Sequence, residues 1–472
     1  MEAAPKRARA GGGSAPDRLS TLPDELLHRV LFFLPSRQAV QTTVLSKRWI
    51  DLWRSMPALN LIISEFRSTT AGHYDQERWG KMENFTTNLL MRHRAPRLDA
   101  FRLNTGRISG VDWRRDVDRW FRRAMEYCPV VMEIWLSRAG GVRYHLPKVV
   151  SCHLKRLDIC GVFLERSFAE QLHSGCPVLE DLKIWDCRGF RGFQSDTLKN
   201  LVAFDCWADA DADTDTDTWT IRAPSLASVC LSLPYYNCTD VLLDTGNSLV
   251  EASIRGSLSY YISRRDSQAV LLGSLVNVTS LELSCFNAMV FLDKEFDKAP
   301  IFENLRTLSL EECFVGIHEE DKFMSFGRLL QKSPNLEKLT LQNLRVRPAA
   351  PFEFPVLENL RTLLLDECDL CGNILLLRHF LRSSPNLEKL TLRLCRLPKV
   401  LPGVKGKAKS KKAYCQFQNL VHFKCQKLKS TEIIYREGRK IQRLVSFFLG
   451  ISGCAPKNTI TLTKYEEKRA RL

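Results

Sequence analysis

Sixteen cysteines and nine histidines are the residues of this 472-residue chain most able to do chemistry. Their spacing argues against it. Cys368-x-x-Cys371 is a lone pair, whereas a structural zinc site needs a second pair at a suitable distance. His318-Glu319-Glu320 lacks the second histidine of the His-Glu-x-x-His zinc motif. Asp209–Asp217 (DADADTDTD) is rich in oxygen ligands but lacks the Asp-x-Asp-x-Asp-Gly…Glu order of a calcium loop. Gly403 and Gly406 do not fit the phosphate-binding pattern Gly-x-x-x-x-Gly-Lys-Ser/Thr. No nucleophile is patterned with a base. The expectation is therefore a non-catalytic protein with no metal and no cofactor. Its thiols read as small buried apolar groups.

The charge needs a location before it can mean anything. The net +16 is concentrated at one end: Cys395 to Leu472 holds 19 Lys+Arg against 4 Asp+Glu, a difference of +15. Lys405–Lys412 (KGKAKSKK) carries much of it. No aromatic-rich basic module accompanies this charge, so a solvated loop and tail is expected rather than a nucleic-acid site. No apolar run reaches the ~18 residues of a membrane span. The N-terminal stretch MEAAPKRARAGGGSAP is basic and Ala/Gly/Pro-rich without an apolar core, so it reads as a disordered tail and not as a secretory signal. Nucleus or cytoplasm is the expected location. The thiols should then be free, and Asn84-Phe-Thr86, Asn237-Cys-Thr239 and Asn277-Val-Thr279 are expected to carry no glycan.

Residues 17–57 pack three helix patterns into a segment barely large enough to bury a core of its own. Pro23 suits the first turn of a helix, and Asp24 and Glu25 sit where the helix dipole favours acids. Leu26, Leu27, Val30, Leu31 and Leu34 then form one broad apolar face, which Pro35 ends. Ser36 is expected to cap a second helix and Ser46 a third, in which Trp49, Leu52 and Trp53 recur at i, i+3 and i+4. Periodicity alone leaves core and partner surface equally open. The order Asp17-Arg18-Leu19-Ser20, Leu22-Pro23-Asp24, Leu31…Leu34, Val44-Leu45-Ser46-Lys47-Arg48-Trp49, Leu52-Trp53 closely resembles the plant F-box. Phe32-Phe33 departs from the common Ser-Phe. The resemblance implies docking on the Skp-type adaptor of cullin–RING ubiquitin ligases. It assigns that contact to Leu22, Pro23, Leu26, Leu27, Leu31, Val44, Leu45 and Trp49, some of which must also hold the helices together.

After Pro57 the pattern Leu-x-x-Leu-x-Leu recurs to the end. The best copies begin at Leu154, Leu179, Leu305, Leu336, Leu360 and Leu387, and weaker ones at Leu98, Val131, Leu201, Leu226, Leu249, Val278 and Leu420. This is the period of a leucine-rich-repeat solenoid, in which stacked units bury a face that one unit cannot. Asn304–Leu308 returns at Asn359–Leu363, and Ser333–Leu339 at Ser384–Leu390, which points to duplication of a two-repeat block. Outer helices are expected at Asp112–Tyr127, Phe323–Gln331 and Ile374–Leu381. Cys187, Cys313, Cys368 and Cys395 hold the ninth place of their units, which resembles the cysteine-containing repeats that follow an F-box. A strand–helix–strand cap is expected over Phe417–Phe423, Arg439–Gly450 and Asn458–Thr463, loosely similar to the FBD-type tail.

The expected architecture is α/β: a tail at 1–16, a three-helix F-box at 17–57, a repeat solenoid at 58–400, a basic loop at 401–412 and a terminal repeat and cap at 413–472. The resemblance implies a substrate adaptor of an SCF-type ubiquitin ligase, with the Skp-type adaptor, a cullin beyond it and an unidentified target protein as partners. Residues between the core leucines should face the target: Lys183, Trp185, Asp186, Glu282, Glu311, Glu312, Lys338, Asp366, Glu367, Lys389 and Arg393. The alternative is a binding scaffold outside ubiquitin transfer whose basic C-terminus meets nucleic acid or an acidic surface.

Overall fold

The computed structural model describes residues 21–67, 74–136, 144–207, 218–233, 240–256, 265–298, 300–314, 319–344, 355–370, 374–396, 427–436 and 458–465. The acidic run 209–217, the basic loop 405–412, the weak repeat at Leu420 and the basic stretch 439–450 lie outside these. The chain forms two units, Met1–Val142 and Arg143–Leu472.

In the first unit, Pro23 precedes the helix Asp24–Phe32, with Asp24 and Glu25 in its first turn. Helices Ser36–Gln41 and Arg48–Arg54 follow, joined by a 3-10 turn at Thr42–Val44. Neither serine caps as expected. Pro35 holds the first cap position and Lys47 the second. The Ser36 hydroxyl instead accepts a hydrogen bond from the Asn60 N–H at 2.7 Å, tying the second helix to the strand Ala58–Ile62. That strand pairs in parallel with Ala100–Asn104, which pairs with Val131–Trp135. Leu59, Phe101 and Met132 are in register, as are Leu61, Leu103 and Ile134, and all six are sealed from solvent. Helix Arg114–Glu126 buries Val117, Trp120, Phe121 and Ala124, one face at helical spacing. Helix Tyr74–Arg92 lies beside it: the Trp79 indole N–H donates to Asp116 at 3.0 Å, and the Trp79 and Trp120 rings are 5.4 Å apart.

The second unit is a stack of parallel strands in chain order: Arg156–Cys160, Asp181–Trp185, Asn200–Phe204, Ser228–Ser232, Glu251–Arg255, Ser280–Ser284, Thr307–Glu311, Lys338–Gln342, Thr362–Asp366, Lys389–Arg393, Ser430–Tyr435 and Thr459–Lys464. In each five-residue strand the second and fourth side chains turn inward, as period-two geometry requires. Leu308, Leu339, Leu363 and Leu390 share one register, and Leu310, Leu341, Leu365 and Leu392 the next. All are buried, each contributing about 1.5–3 kcal/mol of hydrophobic stabilisation. The weak repeat assigned to begin at Leu201 is out of phase. Leu198 is its first buried leucine and Leu201 its second, because Leu201-Val-Ala-Phe mimics a repeat start.

Adjacent units are joined the same way from Lys155 to Glu388. The carbonyl just before one strand accepts two consecutive N–H groups of the next unit: Arg306 O takes Glu337 N at 2.8 Å and Lys338 N at 2.9 Å, and Glu337 O takes Arg361 N and Thr362 N. The residue after a strand commonly turns left-handed, as Asp186, Asp205, Glu312, Asn343, Glu367 and Leu394 do. The next residue is often cysteine. Its thiol donates back to the preceding unit: Cys313 to Leu283 O at 3.1 Å, Cys368 to Leu341 O and Cys395 to Leu365 O, both at 3.2 Å. Cys206 does the same to Ile184 O at 3.5 Å, a fifth member beyond the four read from the sequence.

The outer layer is partly helical, with Glu319–Gln331 and Ile374–Ser383 where expected and their Phe326 and Phe380 rings 6.0 Å apart. Between Phe190 and Asp244 it changes. A second small sheet, Gly192–Gln194, Thr218–Arg222 and Asp240–Asp244, takes the place of helices there. Gly192, at φ 124°, is required: a Cβ would collide with the Thr220 backbone.

Candidate functional site

Two surfaces emerge, one in each unit. In the helical segment the apolar residues divide cleanly. Leu27, Leu31 and Trp49 are buried, as are Leu52 and Trp53, and they hold the three helices together. Leu26, Val30 and Phe33 follow one another at i, i+4 and i+7 on the opposite side of helix Asp24–Phe32 and its C-cap, and all are exposed, Phe33 to 78%. Val44 and Leu45, in the turn before the third helix, are exposed to 86% and 57%. Pro23 is exposed and Leu22 half-buried. Arg48 fastens the third helix to the start of the first, pairing with Asp24 and donating to Leu22 O at 2.7 Å. His28 reaches Leu52 O at 3.2 Å and the Ser55 hydroxyl at 3.1 Å. The scaffold is thus fixed from inside while large apolar groups remain outside. Val30 and Phe33 join this surface, although the resemblance did not assign them. Their exposure depends on which way the helix is turned, which the broad apolar face could not reveal.

In the repeat unit, the first, third and fifth residues of each strand lie on the face turned away from the core. The residues expected to face a target fall into three rows there and a fourth just past the strand ends. Lys338 and Lys389 begin their strands, and Lys183 and Glu282 are central. Trp185, Glu311, Asp366 and Arg393 end their strands, and Asp186, Glu312 and Glu367 are the left-handed residues just beyond. Asp366 is buried and accepts from Arg393 at 3.0 Å; burial pushes its carboxyl up and the arginine opposes this. The Trp185 ring is tilted against Phe204, with ring centres 5.3 Å apart, and Arg255 lies over Phe204 at 5.6 Å.

The buried thiols are poor nucleophiles. Burial pushes those of Cys206, Cys313 and Cys368 up to about 12 and raises those of Cys187 and Cys395 as well. Among the described residues no cluster of His, Cys, Asp and Glu is arranged to hold a metal ion. No described helix is long and apolar enough to cross a membrane. The arrangement offers binding surfaces.

The F-box domain family matches residues 19–60. The rice (Oryza sativa subsp. japonica) MEIOTIC F-BOX protein MOF is 33% identical over 350 residues, covering 69% of this chain and 71% of that protein. An F-box/FBD/LRR-repeat protein of Arabidopsis thaliana is 27% identical over 381 residues, covering 72% of this chain and 80% of its own. An F-box/LRR-repeat protein of the same plant is 27% identical over 376 residues, covering 70% and 92%. With an F-box match, leucine ladders later in the chain and a rice F-box relative 33% identical over 71% of its length, this chain belongs to the plant F-box/leucine-rich-repeat proteins.

Proposed function

We propose that the protein is the non-catalytic substrate-recognition subunit of an SCF-type ubiquitin ligase. The helical module docks on a Skp-type adaptor and through it on a cullin, and the repeats hold a target protein. The observation that carries this reading is the exposed set Leu26, Val30, Phe33, Val44 and Leu45 on a helical scaffold whose own core is already filled. So much exposed apolar surface in so short a segment fits a protein interface rather than solvent. The chain's contribution to ubiquitin transfer is proximity: holding a target beside another protein's active site converts a bimolecular step into an effectively unimolecular one.

The test is capture of a purified Skp-type adaptor by the full chain. Val44→Glu with Leu45→Asp should abolish capture while circular dichroism and the melting temperature stay at wild-type values. Wild-type capture by that double variant overturns the proposal.

A further inference from the structure

The strand ends of the second unit's sheet form two rims of unlike electrostatics. Along the N-terminal rim, charges are neutralised from unit to unit. Glu180 pairs with Lys155 at 3.6 Å and with Lys199 at 3.3 Å. Arg306 pairs with Glu337 at 3.8 Å, and Glu388 with Lys429 at 2.7 Å and Arg361 at 3.7 Å. Along the C-terminal rim the carboxylates outnumber the cations. None of Asp205, Glu311, Glu312 and Glu367 pairs with a lysine or arginine among the described residues. Their hydrogen bonds come from neutral groups: the Ser232 hydroxyl to Asp205, the Ser284 hydroxyl to Glu311, and the Asn343 amide to Glu312 at 3.3 Å. Parallel strands stand about 4.8 Å apart, and one strand, ending in Gln342, separates Glu311 and Glu312 from Asp366 and Glu367, so an extended basic segment lying across the rim can reach both pairs.

The rim also shows how it holds a guanidinium. The Arg255 guanidinium carbon lies over the Phe204 ring beside Trp185, and Arg393 donates to Oδ2 of Asp366. Asp366 is nine-tenths buried, and its other oxygen, Oδ1, has no hydrogen-bond partner. An aromatic platform next to carboxylates is the pairing that arginine exploits, through its flat face and its fork of donors. A phosphate backbone would be repelled here.

We propose that the C-terminal rim of the repeat sheet, from Phe204 to Glu367, binds an arginine- or lysine-rich segment of the target protein. The inference rests on the target-recognition role proposed above and names the chemistry of that target.

The experiment uses the full chain and a fluorescein-labelled peptide of alternating arginine and glycine with one phenylalanine. The same peptide with glutamine for arginine is the control. Fluorescence anisotropy should show binding of the arginine peptide alone, weakening as salt rises. Combining Glu311→Gln, Glu312→Gln and Glu367→Gln should weaken it about tenfold, since exposed charge pairs each contribute a few-fold. Glu180→Gln with Glu337→Gln, on the opposite rim, should leave it unchanged. Equal binding of both peptides, or wild-type affinity in the triple variant, overturns the inference. Adaptor capture is measured on the same proteins. A triple variant that captures the adaptor but loses the peptide supports the rim assignment. A chain that binds the arginine peptide through the rim yet captures no adaptor also keeps that assignment and overturns the ligase reading alone.

Discussion

In the helices of the first unit, Phe33, Val44 and Leu45 face solvent beside a filled core of Leu27, Leu31 and Trp49. In the strands of the second, Leu308, Leu339, Leu363 and Leu390 are sealed, and the outward residues, Leu364 apart, are polar or charged. The two regions therefore present themselves to partners in different physical terms. An apolar docking surface pulls its partner by desolvation and is largely indifferent to salt. A charged sheet face selects by complementarity and responds to salt. The first suits a constant partner and the second a chosen one.

The comparison breaks most visibly in the cores. Trp49→Ala should destabilise the protein by about 3–5 kcal/mol and Leu339→Ala by about 2–5 kcal/mol, read by calorimetry of the full chain. Val44→Ser with Leu45→Ser, by contrast, should change stability by less than about 1 kcal/mol while removing adaptor capture. A large loss of stability there would make those residues part of the core.

The buried thiols make the next prediction. In the unfolded chain a cysteine titrates near pH 8.5. In the folded unit, Cys206, Cys313 and Cys368 hold their protons up to about 12. Between those values the unfolded state has lost protons that the folded state keeps, so stability is full below pH ~8.5 and falls as pH rises, by about 1.4 kcal/mol per unit for each thiol. Urea midpoints should drop between pH 8 and pH 10, and the drop should shrink in Cys313→Ala. N-ethylmaleimide at pH 8 should label the exposed Cys152 and leave Cys313 and Cys368 untouched until unfolding, as mass spectrometry would show. The smallest effect belongs to the N-terminal rim, where Glu180→Gln should cost about 0.2–1 kcal/mol.

Much of the frame was legible in the sequence. The repeats at Leu154, Leu179, Leu305, Leu336, Leu360 and Leu387 each mark a strand two residues later, because only that spacing buries three side chains per unit. Helix Arg114–Glu126 declared itself through Val117, Trp120, Phe121 and Ala124. The small outer sheet did not. Trp219 and Ile221 alternate over only five residues, next to an acidic run, and leucine spacing says nothing about them. In the helical module, Leu26 and Leu27 are neighbours on one broad apolar face, and which of them turns inward is set by the third helix, where Arg48 clamps Asp24. The C-terminal rim was legible as residues but not as a surface. Glu311 and Asp366 come to the same edge, on either side of Gln342, only when the strands are stacked in register.

The joint between repeat units has a consequence for how such a chain can change over generations. Its parts are a backbone carbonyl that takes two N–H groups, a left-handed turn and a thiol that reaches the preceding unit, and each unit carries both halves of its own coupling. None of these parts involves the first, third or fifth side chain of a strand. A unit can be copied whole, as the returning phrases Asn304–Leu308 and Asn359–Leu363 suggest, and the new copy will seat itself. Its outward residues can then drift without loosening the stack, so what the protein recognises is free to diverge faster than the framework that displays it.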